Sequence, residues 1–476
     1  MSIFAVSSDS SNRPPSTTPK ESIVEADIRQ CLVPGGQSKC STCIELDVQC
    51  TSVKPRKKRG PKNRYVQTLR DELDGRPQGR LLGLEDLAPT DIVQQLIDDW
   101  FGWIHPVAPI LHRGRFMEQL ADLPASSENV STSFLLLVAS IGAATVASLR
   151  RRRHLYINVT VESCLDFAER LGVWSPSAVI TVERSIAMYN FGSALHHEHG
   201  IDSPLSHRLI TEAAMSVKFL IHQSIVTLSF IDAQVLKRLY WLIYAGHCTS
   251  DMYGRQLLFL RQVQDQTSAL IPLEVSDTRL LSPDSPSPAD RVCGESSYVP
   301  GLNALSRLFL VWQSSQAIPV QSMENLQAHI ERAHRVVNDL PPELSWKGSA
   351  QNGDFGFDVQ TVNLKITQLH IRSNLLEQMN KIAKTEGLLI TPHAIIEERH
   401  RVVDELLDIL YHMPTEVFDA NGYSIIPKIR DIDSALLDEL RTGSHGRTLQ
   451  ASVNLDRLLA KLENLDLRPA SAVPYF

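Results

Sequence analysis

The sequence lacks the short motifs that would announce a familiar catalytic site. It holds no Gly-x-Ser-x-Gly elbow, no Walker loop and no Gly-x-Gly-x-x-Gly turn. His196 and His199 stand three apart in Leu195-His-His-Glu-His-Gly200. That is not the His-Glu-x-x-His spacing that sets two imidazoles and a general base on one helix face. An enzyme reading has nothing positive to stand on. An apolar leader is missing too: the opening MSIFAVSSDSSNRPPSTTPK has no hydrophobic run, which predicts a chain that is not secreted. There is no excess of positive charge, since 47 Lys and Arg against 54 Asp and Glu give a net charge of −7. Any surface for a polyanion must therefore be local. Strand-like alternation is scarce and no internal repeat is evident.

What is present begins with cysteine. Four of seven fall close together, Cys31, Cys40, Cys43 and Cys50, while Cys164, Cys248 and Cys293 lie far apart with no ligand spacing. Cys40-Ser-Thr-Cys43 is a C-x-x-C knuckle, which sets two sulfurs on one metal with little backbone to order, and zinc favours four thiolates in a tetrahedron. A segment this short buries no core, so metal binding would supply its folding energy. Disulfides, a redox pair and unused thiols are the alternatives. Disulfides need an oxidising compartment. A redox C-x-x-C sits between a strand and a helix, whereas Gly35-Gly36 and a polar loop surround this one.

Directly after the cluster runs Lys54-Pro-Arg-Lys-Lys-Arg-Gly-Pro-Lys-Asn-Arg64. Lys54, Arg56, Lys57, Lys58, Arg59, Lys62 and Arg64 form a dense cationic patch suited to phosphate contacts or nuclear import, with a solvated linker as the alternative. Pro55 and Gly60-Pro61 bar helix there, so the run reads as an extended arm. Phosphate contacts position a protein on DNA without specifying sequence.

From about residue 89 the periodicity is helical. Ile92, Val93, Leu96, Ile97, Trp100, Phe101 and Ile104 follow a three-four spacing behind Thr90, a candidate cap. Ser133 to Leu149 is almost wholly apolar or small. By length it could cross a bilayer, but Ser140, Gly142, Thr145 and Ser148 and the lack of a second such segment favour a helix buried on all sides. Further helical runs cover 154–172, 179–198, 205–222, 230–262, 303–338, 358–385 and 392–412, with breaks at the proline-rich 271–300 and glycine-rich 345–357. Trp100, Phe101, Trp103, Tyr240, Trp241, Tyr244 and Cys248 read as core. Arg150 to Arg153 with His154 read as cations favoured at a helix C-terminus, or as a second phosphate patch. Arg238 and Arg255 either pair with carboxylates or face water.

Two stretches resemble known families. Cys40-x2-Cys43-x6-Cys50 with the Lys-Lys-Arg-Gly-Pro-Lys arm resembles the second half of a fungal binuclear zinc-cluster DNA-binding domain, whose pattern is C-x2-C-x6-C twice over. Cys31 stands where the third family cysteine would be, but Glu21 and Val24 occupy the first two positions, and Glu25 and Asp27 lie where that family is basic. Four cysteines suit one zinc, not two, and the half of the family module that reads base edges is not evident. Further on, Trp100-Phe-Gly-Trp-Ile-His-Pro-Val-Ala-Pro-Ile-Leu-His112 with Phe116, Lys237-Arg-Leu-Tyr-Trp-Leu-Ile-Tyr244 with Asp251-Met-Tyr-Gly-Arg255, and Leu340-Pro-Pro-Glu-Leu-Ser-Trp346 resemble the fungal-specific transcription factor domain. That resemblance implies an all-α regulatory domain and a nuclear role.

The chain thus divides into a disordered 1–30, a partial zinc cluster and basic arm over 31–64, a linker over 65–88, an all-α domain over 89–415 and a C-terminal segment over 416–476. Within the linker Tyr65, Val66, Leu69 and Leu73 could open a dimer-forming helix, too short for a coiled coil alone. One functional expectation is a nuclear, zinc-carrying, DNA-binding regulator of RNA polymerase II genes in a fungus, acting with the transcription machinery. The other is a helical regulator without base readout, acting through protein partners or a small ligand.

Overall fold

The helices start where the sequence supplies oxygen acceptors for their unpaired N–H groups. Thr160, Thr181, Ser203, Ser229, Ser322 and Asp354 each accept a backbone N–H two or three residues on, and each opens a helix. This computed structural model describes residues 41–47, 82–123, 131–175, 178–255, 260, 267–280, 297–350, 354–387, 393–442 and 448–466. The chain forms two units, Met1–Gly79 and Arg80–Phe476. Of the first, the described part is a short helix, Ser41–Glu45, and the turn after it.

The second unit is all helix among the described residues. Its main helices are α1 (Thr90–Asp99, continued by the wider turn Trp100–Ile104), α2 (Arg113–Ala121), α3 (Thr132–Ser148), α4 (Val161–Arg170), α5 (Val182–His199), α6 (Pro204–Gln223) and α7 (Phe230–Met252). They continue with α8 (Val299–Gln316), α9 (Met323–Asn338), α10 (Phe355–Thr385), α11 (His393–His412), α12 (Thr415–Asn421), α13 (Ile426–Thr442) and α14 (Thr448–Leu465). α3 is buried without interruption from Phe134 to Ala147, between α1, α4 and α5. No helix among the described residues is long and apolar enough to cross a membrane.

α10 organises the other half. It runs 31 residues and packs against α8, α9, α11, α12 and α13. A helix enclosed on so many sides must bury polar groups, and each buried polar group needs a partner. Arg372 is fully buried and bridges to Glu398 at 2.6 Å and Glu405 at 2.9 Å on α11. His370 meets Asp431 of α13 at 2.7 Å, and Asn363 donates to Asn421 of α12 at 2.9 Å.

Several helices end earlier than their apolar spacing predicts, for local reasons. The run 154–172 is broken: Arg150–Leu155 is a tight 3-10 turn, and Asn158 takes a left-handed φ of 63° before Thr160 opens α4. The run 230–262 stops at Met252, with Gly254 at φ 74°. The run 303–338 divides into α8 and α9 around Pro319, which has no N–H to continue a helix. Thr90 is the first residue of α1, not its cap; Pro89 precedes it and no side chain caps that end.

Trp100 is fully buried and Phe101 nearly so, while Trp103 is half-buried with its ring 4.9 Å from Arg152. Tyr240, Trp241, Tyr244 and Cys248 are core. Arg238 is buried and binds Asp277 at 3.0 Å, and Arg255 binds the exposed Asp202 at 2.6 Å. Arg150 to Arg153 all pair with carboxylates: Arg150 and Arg153 with Glu198, Arg151 with Asp419 and Arg152 with Asp99. Three carboxylates thus serve four guanidinium groups, Glu198 being shared by Arg150 and Arg153.

Candidate functional site

Six helices leave a cavity of about 190 Å³ where they converge. The lining positions repeat at helical spacing: Tyr189, Ser193, His196 and His197 on α5, His207, Ile210 and Thr211 on α6, and Leu242, Gly246, Thr249 and Tyr253 along α7 and its end. Leu305 and Phe309 come from α8, Asn363 from α10, and Pro427 and Lys428 from α13. The space exists because small residues stand at the crossing, among them Ser193, Ser206, Ala245, Gly246 and Ser250. Gly192 brings α5 and α6 together beside it. A Cβ there would lie 2.8 Å from the Ile210 side chain and 3.2 Å from its backbone nitrogen.

The nitrogen-bearing ionisable side chains on the wall are all of the basic kind. Four histidines and one lysine face the cavity, and no carboxylate does among the described residues. Lys428 is 4% exposed. Its Nζ donates to Thr367 Oγ1 at 2.8 Å, and it lies 5.8 Å from the Phe309 ring centre. Thr367 Oγ1 in turn donates to Asn363 Oδ1 at 3.4 Å, and Asn363 Nδ2 donates to Asn421. Asn421 Nδ2 ends the chain on the carbonyls of Val359 and Val417. Every member is therefore oriented, and Lys428 is the donor end.

No carboxylate lies within ion-pair reach of Lys428 among the described residues. Burial drives its pKa down to about 7. Burial likewise pushes His247 down to about 4, so its imidazole is neutral near neutral pH. His197 Nδ1 shares a 3.0 Å hydrogen bond with Ser148 Oγ. Tyr253 is backed by His370, with ring centres 5.5 Å apart. Such a space, apolar with a few fixed polar groups, has the character of a small-molecule site.

The sequence motifs lie elsewhere. Cys31, Cys40 and Cys50, and Lys54, Arg56, Lys57, Lys58, Arg59, Lys62 and Arg64, lie outside the described residues, as do 1–30 and Tyr65 to Leu73. Cys43 is half-buried on the helix Ser41–Glu45, which begins just after Cys40. Among the described residues no group of three or more His, Cys, Asp or Glu is placed to hold a metal. His196 to His199 form the last turn of α5, closed by Gly200 at φ 82°, and two of them face the cavity.

Sequence reasoning missed Lys428. The signal was a lone cation inside Ile425-Ile-Pro-Lys-Ile429, at a position where the helical stripe is otherwise apolar.

Residues 97–436 fit the family model of the fungal specific transcription factor domain, a span that runs from α1 into α13 and takes in the whole cavity. No curated protein and no solved structure matches the chain.

Proposed function

The chain belongs to the fungal specific transcription factor domain family, and from that premise we propose that it is a nuclear regulator of RNA polymerase II genes whose helical domain answers to a small molecule. The observation that carries the effector reading is the oriented, basic-lined cavity inside the matched span. Binding there would touch six helices at once, so a ligand could bias how they pack.

The same proposal assigns Cys31, Cys40, Cys43 and Cys50 to one zinc ion, and Lys54, Arg56, Lys57, Lys58, Arg59, Lys62 and Arg64 to DNA phosphates. Released counterions would supply most of the affinity, so binding should fall steeply with salt. Whether the chain also reads sequence turns on the N-terminal half-cluster. Glu21 and Val24 in place of cysteine favour a second reading, a regulator with little base discrimination that relies on protein partners for its address.

A competition titration of the full chain tests both, using a duplex with paired CGG triplets, the kind of site implied by the zinc-cluster resemblance, against scrambled DNA at two salt concentrations. Comparable affinities and a steep salt slope support the second reading. A preference of about a hundredfold, the worth of one to three good bidentate base contacts, supports sequence-specific readout. No binding at low salt removes the DNA assignment.

A further inference from the structure

We propose that the cavity binds a small organic acid, an apolar body of about one ring bearing a single carboxylate, and that the carboxylate is received by Lys428. The inference rests on the reading of the cavity as an effector site and adds the chemical class of the effector.

Three observations converge on it. The first is charge. A buried ammonium is costly without a counterion, and Lys428 has none among the described residues, only the Thr367 hydroxyl and the Phe309 ring. The ammonium has three donors and the Thr367 bond uses one. The second is the surroundings. The other ring nitrogens on the wall, those of His196, His197, His207 and His247, bring no negative charge to it, as a carboxylate would. Lys428 is also the third residue of the 17-residue α13, whose N-terminal end adds positive potential. The third is size and polarity. A cavity of roughly 150 Å³ lined by apolar side chains accepts benzene, and this one measures about 190 Å³. Leu242, Ile243, Leu305 and Phe309 would pack the ring, with room left for one carboxylate. A hydrated inorganic anion would leave those walls without a partner.

The test is isothermal titration of the full chain with benzoate and with benzamide, its neutral counterpart of nearly the same shape. In the wild type benzoate should bind about tenfold more tightly than benzamide or better, the ratio one charge-assisted hydrogen bond supplies. Lys428→Met should bind the two alike, by losing benzoate affinity and keeping benzamide affinity. Should that variant fail to fold, Lys428→Gln takes its place. Equal binding of both probes by the wild type overturns the carboxylate assignment while leaving the cavity as a ligand site. A benzoate preference that survives at position 428 overturns the role of Lys428. Absence of binding by either probe overturns the effector reading and this inference with it.

Discussion

Replacing Lys428 by Met should change how stability depends on pH, and the size of the change follows from burial. In the unfolded chain a lysine titrates near its ordinary 10.5, and in the folded chain burial brings Lys428 to about 7. Between those values the unfolded state holds a proton that the folded state has released. Raising the pH through that window removes an advantage of the unfolded state, so the wild type gains stability from about pH 7 up to about 10.5. The linkage amounts to about 1.4 kcal/mol per pH unit where the two states differ by a full proton, and it is smaller near 7, where the folded group is half-protonated. Integrated from about pH 7 to about pH 9 it comes to about 2 kcal/mol. Met has a similar length and no proton to exchange, so the variant lacks this term. Urea denaturation of both proteins at the two pH values isolates it, because other titrating groups cancel in the difference. The stability advantage of Lys428→Met over wild type should shrink by about 2 kcal/mol on going to the higher pH. Parallel pH profiles would refute the claim that an ammonium is buried there without a counterion.

Burial and ion pairing elsewhere in the fold set further outcomes. His105 and His247 are both held near 4 by burial, against an ordinary 6.5, so in each the unfolded state takes up a proton first as pH falls. Acid should therefore destabilise the protein between about pH 6.5 and 4, by about 3 kcal/mol per histidine, and His247→Phe should flatten part of that loss in pH-dependent melts. Arg372→Met should cost about 3 kcal/mol in chemical denaturation, the low end for a broken buried pair, because Glu398 keeps Arg401 at 2.5 Å. An unchanged midpoint would show that α10 is not fastened to α11 by this cation. Metal analysis of the purified full chain should find about one zinc, lost in Cys43→Ser. Two zinc ions, or zinc indifferent to Cys43, would contradict the single four-thiolate site.

The all-α body was legible because its apolar residues recur at helical spacing, as Val93, Leu96, Ile97 and Trp100 do in α1 and its continuation. Core placement of Trp100, Tyr240 and Trp241 was legible for the same reason. Helix ends were less so where a single residue decides them, as Asn158 and Gly254 do through left-handed backbone. The cavity was not legible, because it belongs to no segment. Gly192 and Ser206 set the distance between two helices, and Ser193, Ala245 and Gly246 then fail to fill it, a fact about sums of volumes across six helices. Lys428 was hidden for a related reason. A lysine in an apolar stripe reads as a snorkelling surface residue until the elements around it are known, and Thr367 and Phe309 lie about 61 and 119 residues away in sequence.

We propose that this chain acts on genes through its basic arm, under the control of its helical domain. Chromatin immunoprecipitation of the tagged full chain in a fungal host, paired with transcript sequencing, tests it most directly. The protein should be nuclear and enriched at promoters, with transcripts of those genes changing when it is removed. Joint replacement of Arg56, Lys57, Lys58 and Arg59 by Ala should lower both enrichment and nuclear accumulation. A protein that stays outside the nucleus, or whose promoter enrichment is unchanged by that replacement and unrelated to any transcript, would contradict it.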